Sequence, residues 1–376
     1  MPSVKNHFSK IVFLFVIQLF VGLNTGFGKS HIIADRKKQD IKPSNTHFVY
    51  MGRLDRSNPD APELYWPGTS IEIGFGGTSL SITMDDAEGK NYYDIILDGN
   101  VKHKKVIHCK KGLHTYPTFT DLTDGRHTVQ IFRRTDPTSF TTIFRGIAID
   151  NGEKLYKPVQ DYALKIEFYG DSITSGHGVL DTTRSNNGDL STWENYHAYR
   201  AVTARHYNAD YRCISRSGIG IIKSWFPLIM PEMYDRLDPN NPWSSWDFSK
   251  WTPDVVVINL FQNDAWLLPK LKEPPKPDAI INHYIDFVRS IRTEYPKVPI
   301  ICMLGNMDIT KQGSPWPGYV DEAVSRIRDR YGDENVYQMT VPYKQTGGHP
   351  LIGEQKEMAG YLIRKIDEVF GYGETK

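Results

Sequence analysis

The chain has 376 residues, of which 39% are hydrophobic and 24% charged, with a formal net charge of +1. This is the composition of a soluble globular protein long enough for two ordinary domains. A charge so near zero offers no electrostatic footprint for nucleic acid or for an anionic membrane surface.

At the N-terminus, Lys5 and Lys10 precede an apolar run over 11–23, and the small residues Gly26 and Gly28 follow it. A basic start, a short apolar core and small residues at the exit predict a secretory signal peptide over residues 1–28. The run is too short for a comfortable membrane span, an uncleaved anchor being the competing reading. Cleavage removes two lysines and no acid, which takes the formal charge to −1 and predicts a secreted or periplasmic protein free of the membrane. Residues 29–45 are polar and basic and read as a flexible leader.

From Phe48 the pattern is short and alternating. Ile71, Ile73 and Phe75 alternate with polar neighbours, as do Leu80, Ile82 and Met84 after the turn at Gly76 and Gly77. Period-2 alternation predicts half-buried strands, and further runs follow at 92–97, 101–108, 127–133 and 141–149. Asp98-Gly99 and Asp124-Gly125 carry hairpin turn chemistry. No helical period interrupts this region, so residues 45–155 read as an antiparallel β-sandwich or jelly roll.

The texture changes near Tyr156. Apolar runs at 165–169, 254–260, 298–304 and 335–341 alternate with helical patterns. Ile281, Tyr284, Val288 and Ile291 share one helical face, as do Val320, Ala323, Val324 and Ile327, then Met358, Leu362, Ile366 and Val369. Strand–helix alternation predicts a mostly parallel sheet covered on both faces, over residues 161–376. The stretches 228–250 and 268–278 read as insertions or lids. Three widely spaced cysteines, Cys109, Cys213 and Cys302, do not make a disulfide framework, and no histidine or cysteine has metal-ligand spacing.

The most informative stretch is Gly170-Asp171-Ser172-Ile173-Thr174, directly after the run 165–169. It places a serine hydroxyl at the C-terminal edge of a sheet, where open α/β folds bind ligands. Such a hydroxyl needs a base to become a nucleophile. Gly218, Asn263-Asp264 and His349-Pro350 follow in order. Ser172 reads as the nucleophile, with capping of the following helix as its structural alternative, and Asp171 as a residue that holds the turn. Gly218 and Asn263, with the backbone N–H of Ser172, read as oxyanion-hole donors, and His349 as the general base.

Four segments, 170–174, Ser215 through Gly220, Asn259 through Asp264, and Gly348-His349-Pro350, resemble the four blocks of the SGNH (GDSL) hydrolase superfamily. The region before them is similar to the β-sandwich that precedes this domain in carbohydrate esterase family 2. The resemblance implies a three-layer, flavodoxin-like α/β domain. It also implies removal of O-acetyl groups from xylan or mannan polysaccharides or oligosaccharides through an acyl-serine intermediate, with no cofactor and no metal. Trp193, Trp225, Trp266 and Trp316 flank the blocks, and Trp266 and Trp316 are the preferred pair for stacking on sugar rings. A lipolytic or thioester hydrolase, and an inactive carbohydrate-binding relative, stay open. The oligomeric state is not legible.

Two positions depart from the family pattern. Phe261 stands where a glycine usually precedes the Asn-Asp pair, which bears on the pocket wall. Thr346 and Gly347 stand where an aspartate usually precedes the histidine, so a backbone carbonyl is expected to orient the imidazole, the alternative being a carboxylate from elsewhere in the chain.

Overall fold

The alternating runs of the N-terminal half face one another across a single core. In the computed structural model, which describes residues 37–185 and 188–372, Ile71, Ile73 and Phe75 of the strand Ser70–Gly76 meet Leu80, Ile82 and Met84 of Leu80–Asp86 there. These strands belong to different six-stranded antiparallel sheets. The Gly76–Gly77 turn, with Gly77 at φ +100°, therefore carries the chain from one sheet to the other. The turn at Asp124-Gly125 does the same, joining Gly112–Phe119 to Arg126–Arg133. The sandwich is as expected, but this turn crosses between layers where the sequence suggested a hairpin. The predicted strand over 101–108 is a 3₁₀ turn, Val101–His103, followed by the strand Lys105–His108.

Part of the expected leader is ordered. Lys38–Ile41 is a strand paired antiparallel with Thr142–Asp150, and the Asp150 carboxylate binds Lys38 at 3.1 Å and the Thr78 amide at 2.7 Å. The predicted signal peptide, 1–28, lies outside the described residues.

The C-terminal half is a five-stranded parallel sheet in the order Ala209–Ser215, Leu164–Gly170, Val255–Asn259, Ile300–Leu304, Val336–Thr340. Its central strands are buried on both faces, which is why they read as continuous apolar runs. Pro277–Glu294 and Trp316–Tyr331 cover one face, and Tyr199–His206 and Ile352–Phe370 the other. The predicted inward residues Tyr284, Val288, Ile291, Val320, Ile327 and Leu362 are all buried. Cys109, Cys213 and Cys302 are buried free thiols.

The two halves share their cores. Phe132 and Ile96 of the sandwich pack with Phe168 and Tyr199, while Tyr65 and Trp66 pack with Met230 and Met233. Polar groups are matched across the same boundary. Arg53 pairs with Glu167 at 2.9 Å with both side chains wholly buried, and Lys104 bridges Asp94 and Glu194 at 2.6 Å each. Trp66 Nε1 donates to the carbonyl of Leu237 at 2.8 Å. The stretch 228–250 is thus an insertion that braces the two halves through buried Met230 and Met233, while Trp243 stands in solvent.

Candidate active site

The strand Leu164–Gly170 ends in a glycine, where a Cβ would collide with the Thr174 side chain unless that side chain shifted. The chain then turns into the short helix Ser172–Ser175. Asp171 is its N-cap, accepting from the Ile173 amide at 3.0 Å. Because the aspartate caps the helix, the Ser172 hydroxyl is left to point at His349, whose Nε2 lies 2.8 Å from Ser172 Oγ. Burial raises the Asp171 carboxyl to about 7, and the nearby Asp264 carboxylate adds to this.

Gly218 has φ +86°, a left-handed conformation that favours glycine. Asn263 enters from the helix Gln262–Leu267. Its Oδ1 accepts from Trp225 Nε1 at 3.1 Å and its Nδ2 donates to the Ile219 carbonyl at 2.8 Å. An amide nitrogen carries two donors, so one remains beyond the bond to Ile219. The adjacent Asp264 accepts from the amides of Ile221, Ile222 and Lys223 at 2.8–2.9 Å. The Asn-Asp pair therefore anchors the loop that presents Gly218. Ser172, Gly218, Asn263, His349, Trp225 and Trp266 all line one cleft of about 270 Å³.

His349 is set in a loop held by charged groups. Arg184 donates to the Gly347 carbonyl at 2.7 Å and pairs with Glu354 at 2.8 Å. Lys344 Nζ donates to the carbonyls of Thr346 and Gly347 at 2.7 and 2.8 Å. Glu354, in the first turn of the closing helix, accepts from the Leu351 amide at 2.7 Å and from the Thr346 hydroxyl. A Cβ at Gly347 would meet nothing within 4 Å, so this glycine answers no steric demand.

His177 also lines the cleft, and the sequence reading did not single it out. Its ring stacks on His349 with centroids 4.2 Å apart and planes 16° apart, and it packs against Trp193 on its other side. Burial holds His349 well below the ordinary histidine value. The charges of His177 and Lys344 press the same way, and the Asp181 carboxylate opposes them. Burial likewise brings His177 down to about 4.

The aromatic residues sort differently from expectation. Trp266 lines the cleft and also a neighbouring cavity of about 400 Å³, with its Nε1 fixed to Asp308 at 2.8 Å. Trp316 does not reach either one. It is 8% exposed and packs on Phe261 and Tyr319 at the start of its helix. Trp225, 58% exposed, lines the cleft as a second aromatic surface. Phe261 does not shape the cleft wall either. It adopts φ +84°, the conformation a glycine would take freely, and turns its ring into the core against Tyr284 and Trp316.

The sequence matches the family described as Carbohydrate esterase 2 N-terminal over residues 50–158, and the GDSL-like Lipase/Acylhydrolase family over 168–358. Cellulase/esterase CelE of Acetivibrio thermocellus is 31% identical over 337 residues, 87% of this chain. The chain spans 40% of that protein's length. An acetylxylan esterase / glucomannan deacetylase of Cellvibrio japonicus is 26% identical, with 81% of this chain and 85% of that protein covered. Among solved structures, a family two carbohydrate esterase from Clostridium thermocellum in complex with cellohexaose is 31% identical. It superposes with a TM-score of 0.77, covering 86% of this chain and 99% of that one.

Proposed function

The chain belongs to carbohydrate esterase family 2, and on that premise we propose that it removes O-acetyl groups from plant-type polysaccharides or their oligosaccharides, with xylan or mannan as backbone. The observation that carries this reading is the 2.8 Å contact between Ser172 Oγ and His349 Nε2, in a cleft that also holds Gly218 and Asn263. A hydroxyl, a base and adjacent N–H donors are the parts that acyl transfer needs.

Neutral His349 takes the Ser172 proton as Oγ attacks the acetyl carbonyl. The oxyanion accepts from the N–H groups of Ser172 and Gly218 and from Asn263 Nδ2. Such preorganised donors lower the barrier by ~3 kcal/mol each. The imidazolium returns its proton to the departing sugar oxygen, leaving acetyl-Ser172 and a free sugar hydroxyl. Water, deprotonated by His349, attacks the acyl carbonyl and releases acetate and the serine hydroxyl.

Trp225 and Trp266, which line the cleft with Ser172, provide flat faces for the sugar, and the cellohexaose bound by the Clostridium relative supports a glycan chain as the ligand class. The aromatic, polar rim disfavours long acyl chains. Export is read from the basic and apolar start of the chain. Among the described residues no helix is long and apolar enough to cross a membrane.

The test is acetate release from acetylated xylan and glucomannan, beside turnover of a long-chain acyl ester. Release from the glycans with little long-chain cleavage is the expected outcome. The reverse order of preference, or no turnover of either, would overturn it.

A further inference from the structure

Asp136 belongs to the sandwich, in the turn that follows the strand Arg126–Arg133, and is completely buried. One carboxylate oxygen caps its own turn, Pro137–Ser139, accepting from the Thr138 amide at 2.9 Å and the Thr138 hydroxyl at 2.6 Å. The other oxygen crosses to the catalytic half and accepts from the Ser217 amide at 2.6 Å. Ser217 directly precedes Gly218, and both line the cleft.

The bond matters because of where it falls. The Gly218 carbonyl is fixed from the far side, accepting from the Trp225 amide at 3.1 Å. The Gly218 N–H therefore lies between two pinned points, one of them supplied by the sandwich. Glycine has the widest backbone freedom of any residue, so an unpinned Gly218 would sample many orientations of that N–H. Oxyanion donors act through being aimed before the reaction begins, and a carboxylate is a strong acceptor for holding a backbone amide. The cohesion of the two halves does not require this bond, since Arg53–Glu167, Lys104 and the shared apolar cores already join them.

We propose that Asp136 is a positioning residue, through which the sandwich holds the oxyanion loop of the catalytic domain in working geometry. This rests on the esterase reading of the Ser172 cleft.

Three variants of the full chain separate the possibilities, assayed on 4-nitrophenyl acetate with folded sites counted by a fluorophosphonate probe. Asp136→Ser keeps a capping oxygen for Thr138 but is too short to reach Ser217. It is expected to lower kcat by roughly 10- to 100-fold, part of the loss seen when an oxyanion donor is removed, with KM within about twofold and the melting temperature near wild type. Should that variant melt, Asp136→Thr gives the same short arm with a methyl to fill space, and the same loss is expected. Thr138→Val disturbs the same turn by removing the hydroxyl bond to Asp136 while leaving the Ser217 bond in place, and is expected to hold kcat within about threefold. Full kcat in the folded serine or threonine variant, or equal losses in all three, would overturn the proposal. Ser172→Ala run alongside keeps the two readings apart. If it is inactive while Asp136→Ser is fully active, only the positioning role fails. If it turns over normally, the esterase site itself is misassigned.

Discussion

The imidazole of His177 lies flat against that of His349, their centroids 4.2 Å apart, so the ring that faces Ser172, the proposed base, is covered by a second ring. A proton on either imidazole loses solvation and faces the other ring, and both groups are pressed below the ordinary histidine range. The sign follows directly. The proposed mechanism needs neutral His349, and a depressed pKa keeps it neutral in mildly acidic solution. The acidic limb of kcat/KM is therefore expected below the usual histidine value of ~6.5. A limb at or above that value in a pH–rate profile would contradict the buried, stacked geometry.

Two charges near His349 should move that limb in opposite directions. Lys344 disfavours the imidazolium and Asp181 favours it. Lys344→Met is expected to shift the limb upward, and Asp181→Asn to shift it downward. Because the readout is the position of the limb and not its height, loss of the Lys344 hydrogen bonds to the 346–347 loop does not obscure the direction. Shifts of the same sign in both variants would refute the electrostatic assignment.

Trp225, Trp266 and Trp316 should separate by phenotype. Trp266→Ala is expected to raise KM on acetylated oligosaccharides several-fold while changing 4-nitrophenyl acetate turnover little, since the loss is stacking area for sugar. Trp225→Ala is expected to raise KM and also to lower turnover of both substrates, because it frees Asn263 Oδ1. Trp316→Ala is expected to act through the fold, costing about 3–5 kcal/mol as a buried aromatic truncation. Thermal melting beside kinetics on both substrates distinguishes these behaviours.

The chemistry of this site was more legible than its surroundings. Ser172, Gly218, Asn263 and His349 sit in local patterns that folding brings to one cleft, because each follows a strand or precedes a helix of the parallel sheet. Trp316 carried no such constraint. Its neighbours Pro315 and Pro317 marked a loop-to-helix boundary, but nothing local said which way the indole would turn. His177 belongs to no pattern, and its role arises only from being placed against His349. The strand Ala209–Ser215 escaped notice because Asp210 and Arg212 interrupt its apolar run, and these two pair with each other at 2.8 Å. Phe261 shows the reverse. Its departure from a family glycine was visible, but its consequence is backbone strain of order 1–3 kcal/mol, offset by ring packing in the core rather than expressed in the cleft.

The boundary between the halves also has a consequence for truncation. A protein beginning near Asp161 would lose Arg53 from the buried Glu167, Arg134 from the carbonyls of Ser191 and Trp193, and Phe132 and Trp66 from the shared cores. An unpaired buried carboxylate is costly. Such a protein is expected to aggregate or to lose activity, as sedimentation and an aryl acetate assay would register. A soluble, fully active product would show the sandwich to be a detachable module.

The account turns on Ser172 as the nucleophile that removes acetyl groups from glycans. Mass spectrometry of defined acetylated xylo- and manno-oligosaccharides, before and after incubation with the wild-type chain and with Ser172→Ala, tests it most directly. Stepwise loss of acetyl groups with the wild type is the predicted result, slowed by roughly 10³-fold or more in a folded alanine variant. Undiminished deacetylation by Ser172→Ala, or oligosaccharides left fully acetylated by an active wild-type enzyme, would contradict it.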